Sequence, residues 1–181
     1  MATVQTTKTS FKSFPVPSQL ATMTDLTPRA VQAVTEAVNP LIADAFALYV
    51  KTKNFHWHLS GSHFRDYHLL FDEHAEAIFA SIDVMAERVR RVGGTTIRSI
   101  SHISQLQTIE DDNNDFVSSG EMVKRLMEDN AHIAKSIRAA IDVCDKHNDH
   151  ATSNELETIL DETERRKWFL FEIMQGMKNT D

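Results

Sequence analysis

Cysteine occurs once in these 181 residues, at Cys144. An intrachain disulfide is therefore impossible, and so is a metal site built from thiolates alone. A lone thiol in a helical stretch reads as a small buried hydrophobe. Glycine (5) and proline (4) are also scarce. That scarcity disfavours the many tight turns of a sandwich or barrel. No strand-like alternation and no internal repeat stands out. No uninterrupted apolar run approaches the ~18 residues that a membrane span needs. The first residues lack a basic start followed by an apolar stretch, so no secretory leader is expected and the expected location is cytoplasmic. A basic excess is missing too. The net charge of −7 argues against a generally basic nucleic-acid binder. It suits a surface that attracts cations, and equally an ordinary soluble surface.

What is present is helical in character. The length fits one domain with a substantial core. Residues 1–24 are rich in Ser and Thr, with Lys8 and Lys12 as the only charged side chains. This composition overlaps that of organelle transit peptides but lacks arginine, so residues 1–26 are expected to be a flexible tail. The folded domain is expected over residues 27–181. Thr27-Pro28 makes a good helix start, with Thr as N-cap and Pro at the first position. Apolar residues then recur with three-four spacing from Val31 to Tyr49, the pattern of an amphipathic helix. The phase continues across Pro40, which predicts one kinked helix, with a fresh start capped by Asn39 as the alternative. This helix should end near Ser60-Gly61. Ser62 is the expected cap of a second helix reaching Arg91, stopped by Gly93-Gly94. Its stripe includes Phe64, Leu69, Phe71, Ile78, Phe79, Ile82 and Met85. A long connection follows, with a short helix expected over 97–103 and an acidic loop over 110–115. Third and fourth helices are expected from about Ser119 to His147 and from about Thr152 to Lys178. Four helices with short first and third turns and a long crossover define the all-α, ferritin-like four-helix bundle, here with a short helix in the crossover.

Five potential metal ligands fall in the second quarter of the chain: His56, His68, Asp72, Asp83 and Glu87. His68 with Asp72, and Asp83 with Glu87, are spaced by four, so each pair shares one helix face a turn apart. Imidazole with carboxylate suits ferrous iron better than a structural zinc. The centres of the two pairs are about 15 residues apart, which is ~22 Å along a helix with about 60° of residual rotation. No single ion bridges that gap. An antiparallel second copy across a twofold axis would bring the first pair of one chain to the second pair of the other. Spacing alone leaves a rival reading open, in which the pairs are ordinary acids and histidines on solvated faces. His58, His63 and His74 surround the set. They read as exposed or hydrogen-bonded histidines, with an accessory metal site as the alternative. Asp129 and His132 form the nearest thing to a Glu-x-x-His element and read as a solvated or partly buried helix face.

From about Thr27 onward the chain resembles the Dps-type miniferritins. The resemblance rests on His56-Trp57, Gly61, Phe64, His68, Asp72, Asp83, Met85-Ala86-Glu87-Arg88 and Gly93-Gly94. The ligand spacings of 12, 4, 11 and 4 match the ferroxidase motif of that family. The resemblance implies that His56, His68 and Asp72 come from one subunit and Asp83 and Glu87 from its twofold partner. It makes Trp57 the aromatic residue beside the site, although packing at a helix end would also account for it. It implies a homo-oligomer, a dodecameric shell, with iron as substrate and as stored ferric mineral, and hydrogen peroxide as oxidant. The expected function is an iron-storing ferroxidase that protects DNA from oxidative damage. The rival expectation is a nucleoid-binding structural protein that compacts DNA, with metal binding secondary. Against it, the tail offers only two lysines and an α-amino group for phosphate, though many tails could act together. Asp149 and Glu155, near the third turn, are candidates either for lining an entry pore or for a simple loop-and-cap region.

Overall fold

The computed structural model describes residues 16–178. After a single 3-10 turn at Ser18–Leu20, five helices follow: α1 (Pro28–His58), α2 (Phe64–Arg91), α3 (Ile100–Leu106), α4 (Ser119–Lys146) and α5 (His150–Lys178). There is no strand among the described residues. The four long helices have 28 to 31 residues, or ~42–47 Å each. Near-equal lengths let each short-turn hairpin, α1 with α2 and α4 with α5, pack along its whole length. Contacts of α1 with α4 and of α2 with α5 close the bundle, and α3 lies on α1. This is the all-α ferritin-like arrangement with a helix in the crossover. Residues 1–15 of the expected tail lie outside the described residues. Residues 16–26 run outside the bundle, where Arg90 donates to the Leu20 carbonyl at 2.8 Å.

Helix α1 is continuous through Pro40. Thr27 caps it by accepting the Ala30 N–H at 3.2 Å. Asn39 is not a second cap: it is buried, and its Nδ2 donates to the Thr95 carbonyl at 2.9 Å. By length and composition α1 is apolar enough to cross a membrane, with mean hydropathy 1.2 over its most apolar window. It is not an uninterrupted apolar run, since Asp44 falls within any such window of this helix. The apolar side chains are spent on the core, however, since α2, α3 and α4 all pack on this helix. Val34, Val38, Ile42, Leu48 and Phe55 are almost wholly buried.

Several boundaries move, each for a local reason. Helix α1 stops at His58, because Leu59 turns extended and buries its side chain. Ser62 does not cap α2. His63 holds the N-cap position with no side-chain bond, and the turn closes through the backbone, Phe64 N–H to Gly61 C=O at 3.2 Å. Gly61 supplies the positive φ of 115° that this turn requires. Helix α3 starts later than expected, at Ile100, where Ser99 accepts the His102 N–H. Helix α5 starts earlier, because Asp149 accepts the Thr152 N–H at 3.1 Å. Phe64, Leu69 and Phe79, expected in the core stripe of α2, are exposed. Phe71, Ile78, Ile82 and Met85 are the buried ones.

The crossover is held by a buried carboxylate. Asp44 accepts the Thr108 N–H at 2.5 Å, the Thr108 hydroxyl at 2.7 Å and the Ile109 N–H at 2.9 Å. The Thr108 hydroxyl gives its one proton to Asp44, so His132 Nε2, 2.7 Å away, must donate to it. Asp129 pairs with buried Lys51 at 2.7 Å. Asp129 and His132 therefore serve the packing of α4 on α1 and the crossover.

Gly94 shows how close that packing is. A Cβ there would stand 2.1 Å from Thr35 Oγ1 and 3.0 Å from Val89 Cγ1. Gly94→Ala should cost about 1–3 kcal/mol through overpacking. Adding Thr35→Ala, which removes the nearer atom, should recover part of the loss. Thermal melts of the two single variants and the double variant measure this. Strict additivity of the two changes would show that Thr35 is not the obstacle.

Candidate metal centre

His56 is in the last turn of α1, and His68 and Asp72 lie in the first turns of α2. The short α1–α2 turn brings the three together. The two rings stack with centroids 3.7 Å apart and planes 20° from parallel. His56 Nδ1 lies 2.8 Å from the His68 carbonyl, and His68 Nδ1 lies 3.0 Å from the His56 carbonyl. A carbonyl oxygen only accepts, so both Nδ1 atoms carry protons. In the neutral rings the lone pairs are then on Nε2, the tautomer that a metal ligand needs. His56 Nε2 stands 4.0 Å from Asp72 Oδ1. Phe64 also stacks on His68, with centroids 5.0 Å apart.

Lys53 was missed in the sequence, although it sits one helical turn before His56. Its ammonium donates to Asp72 Oδ1 at 2.5 Å. That bond holds the Asp72 carboxyl below the usual carboxylate range, against the opposing effect of desolvation. The carboxylate is thus ionised and already neutralised by a cation.

Asp83 and Glu87 are exposed near the other end of α2, and Glu87 pairs with Arg91 one turn on. They share the face of His68 and Asp72, which lies roughly 120° around the helix from the core stripe. Exposed Phe79 lies on this same face, between the two pairs. Among the described residues, no three His, Cys, Asp or Glu side chains within the chain gather where one ion could sit. The structure thus brings three of the five candidates together and places the other two at the opposite end of one exposed face.

The remaining candidates have other occupations. His58 bonds the Asn54 carbonyl within its own helix, and His63 lies 5.5 Å from the Tyr67 ring. His74 is buried beside Phe169. Burial and the nearby Arg166 and Arg165 guanidiniums push its pKa down to about 4. Trp57 is 63% exposed, so in a single chain it is not packing at the helix end. Asp149 is buried, caps α5, and accepts from Arg88 at 3.1 Å. It belongs to the loop-and-cap reading and not to a pore. Cys144 is buried, and burial with the nearby Asp149 and Asp145 carboxylates pushes its thiol up to about 12. That thiol is a packing group.

Comparison with known proteins agrees with the fold and with the family resemblance. The ferritin-like domain family matches residues 35–180. An uncharacterized low temperature-induced protein of Nostoc sp. is 35% identical over 83% of this chain and 85% of its own. DNA protection during starvation protein 1 of Deinococcus radiodurans is 30% identical over 79% of this chain and 69% of its own. The crystal structure of a Dps protein from Bacillus brevis superposes with a TM-score of 0.79 at 30% identity, covering 82% of this chain and 99% of that one. The fold and its helix order define a ferritin-like protein. Within that class, the chain belongs to the Dps-type miniferritins.

His74 gives the fold a calculable acid sensitivity. Its folded pKa, about 4, lies below the ordinary 6.5. The unfolded chain therefore binds the extra proton first, and stability falls as pH drops from about 6.5 through 4. The shift is worth about 3 kcal/mol at most. Denaturant titrations of the wild type and of His74→Gln between pH 7 and pH 4 should diverge by up to that amount. Parallel curves would mean that His74 is not the sensitive group.

Proposed function

We propose that this protein is a ferroxidase that oxidises ferrous iron with hydrogen peroxide and stores the ferric product as mineral inside a hollow shell. The observation that carries the reading is the split ligand set. His56, His68 and Asp72 neighbour one another where α1 meets α2, while Asp83 and Glu87 stand on the same side of α2 near its other end. In this reading the first three bind ferrous iron from one subunit, and Asp83 and Glu87 of the twofold partner complete the site. Two identical sites then form at each twofold interface. Exposed Trp57, Phe64 and Phe79 would supply apolar area to that interface, and the assembly would be a dodecamer.

The chemistry follows from charge. Carboxylates stabilise the ferric ion more than the ferrous ion because it carries more charge. Two ferrous ions lose one electron each, and one peroxide takes both electrons and two protons to give two waters. The two-electron route releases no hydroxyl radical. The ferric product hydrolyses, releases protons and deposits in the shell. For entry, the Lys53 ammonium must leave Asp72, so one monovalent cation is exchanged for a divalent one at the same carboxylate. DNA is protected by removal of ferrous iron and peroxide. A chain of net charge −7 does not need to coat the duplex for this. A gel shift of plasmid at physiological salt should accordingly show little retardation. Strong retardation lost on deleting residues 1–24 would favour the nucleoid-binding reading instead.

The shared site has a sharper test. His68→Ala with Asp72→Ala should remove one half-site, and Asp83→Ala with Glu87→Ala the other. Neither double variant should oxidise ferrous iron rapidly with peroxide. Mixed dimers of the two, refolded together and verified by mass, have one intact interface site and one void site. They should recover to about half the wild-type initial rate per dimer, as twofold symmetry requires. Verified mixed dimers as inactive as their parents would rule out the shared site.

A further inference from the structure

We propose that Glu76 and Phe79 form the centre of a self-recognition surface on α2, where each meets its own copy across the twofold axis of a dimer. The inference rests on the shared site proposed above and extends it to residues that bind no metal. If the His68–Asp72 end of α2 meets the Asp83–Glu87 end of the partner's α2, the register of the two helices is fixed. The axis then crosses α2 at the midpoint of the four ligands, which falls between Ala77 and Ile78. At ~100° per residue, the four ligand side chains spread about 50° to either side of one direction. Glu76 and Phe79 are the residues of that face nearest the midpoint. Each lies about 30° from the same direction and about 2 Å along the helix from the axis. Both are exposed, Phe79 by 54%.

Symmetry decides what each residue faces. A twofold axis normal to two antiparallel helices reverses position along them, but keeps every side chain above or below their common plane. Phe79 therefore meets the partner's Phe79 on one side of the plane, and Glu76 meets the partner's Glu76 on the other. Helices packed at the usual ~8–10 Å set the β-carbons of each pair roughly 6 Å apart. Within the chain, Phe79 already rests on Tyr49 of α1, with ring centroids 5.1 Å apart. The dimer thus closes a row of four rings, Tyr49 and Phe79 from each chain. Aromatic anchors at the centre of an interface carry much of its affinity. The Glu76 pair acts the other way, because two like charges brought this close repel. Asp72 and Glu87 carry their own cations, Lys53 and Arg91, so the charge at the axis is not theirs to relieve. One aromatic contact holds the two copies together and one carboxylate contact loosens them.

Cross-linking of the full-length protein in its native assembly tests the placement. Glu76→Cys, Phe79→Cys and Glu73→Cys are each treated with a short bis-maleimide, the native Cys144 being buried. Glu73 is exposed on α2 but points about 90° away from the facing direction. Glu76→Cys and Phe79→Cys should each link to a second copy through the introduced thiol, read as a doubled chain mass and by peptide mapping. Wild type and Glu73→Cys should not. Links at Glu73→Cys, or none at the other two positions, would overturn the register. Light scattering on dilution tests the two opposed contacts. Glu76→Gln should lower the concentration at which half the assembly dissociates by about threefold or more, and Phe79→Ala should raise it at least about tenfold. Helix content by circular dichroism should not change, since both residues are exposed. Unchanged midpoints in folded variants would overturn the pairing. Cross-linking needs no iron, so the two readings separate. Cross-linked chains whose mixed ligand variants stay inactive would sink the shared iron site and keep this surface. Rescued activity without cross-links would sink this surface alone.

Discussion

A helix is a rigid ruler, and in this protein α2 is the ruler on which the candidate chemistry is laid out. Its 28 residues fix the His68–Asp72 pair and the Asp83–Glu87 pair ~22 Å apart. No side-chain rotation or backbone adjustment can bring them together within one chain. The relative placement of the first three ligands depends instead on how α1 ends against the start of α2. Two imidazole-to-carbonyl hydrogen bonds cross that junction in opposite directions, each ring bonding the backbone of the other. In the core of the same two helices, Phe55 and Phe71 are essentially fully buried. Truncating such an aromatic residue typically costs about 3–5 kcal/mol. Phe55 directly precedes His56, so the core anchors the helix end that carries the first ligand.

Buried polar groups do a different job, which is to set the path of the crossover. Asp44 bonds the Thr108–Ile109 backbone, Asn39 bonds the Thr95 carbonyl, and Arg88 reaches Asp149 and Thr152 across the α4–α5 turn. Apolar residues at these points would pack, but they would not choose one path for the chain over another. Arg166 is an extreme case. It is buried, bonded to Asn130 and Thr163, and burial pulls its pKa down to about 10. Its charge beside His74 is one reason that imidazole resists protonation.

The helices were legible in the sequence because a 3.6-residue apolar period survives in each, and because Thr27-Pro28 and Gly93-Gly94 punctuate it. The ligand spacing was legible for the same reason, since four residues always make one turn. What the sequence did not show were contacts between segments far apart. Ser62 looked like a cap, but the α2 turn closes through Gly61 and the backbone. Asp149 read equally as pore lining or as a loop and cap residue until Arg88, 61 residues away, was seen to hold it. Asn39 read as a mid-helix residue with a helix start as the alternative, and Thr95, the partner that explains its burial, is 56 residues away. Phe64 and Phe79 looked like core because hydropathy records a preference for burial without saying against what. Lys53 went unread because a lysine among candidate ligands carries no ligand chemistry of its own.

Lys53 also bears on why a split site is chemically useful. In the isolated chain, Asp72 already has a cation, and it stands beside two imidazoles, which bring no anionic charge to a metal. Under the proposed sharing, the partner's end of α2 adds two carboxylates to this neutralised half-site. The added negative charge changes the balance from one that is satisfied by an ammonium to one that requires a multivalent cation. Full affinity for iron would then appear only where two subunits have already met. Oxidation would be confined to assembled protein, where a cavity can receive the ferric product. A complete site on each chain would oxidise iron equally well on unassembled subunits, and would release an insoluble product with nowhere to hold it.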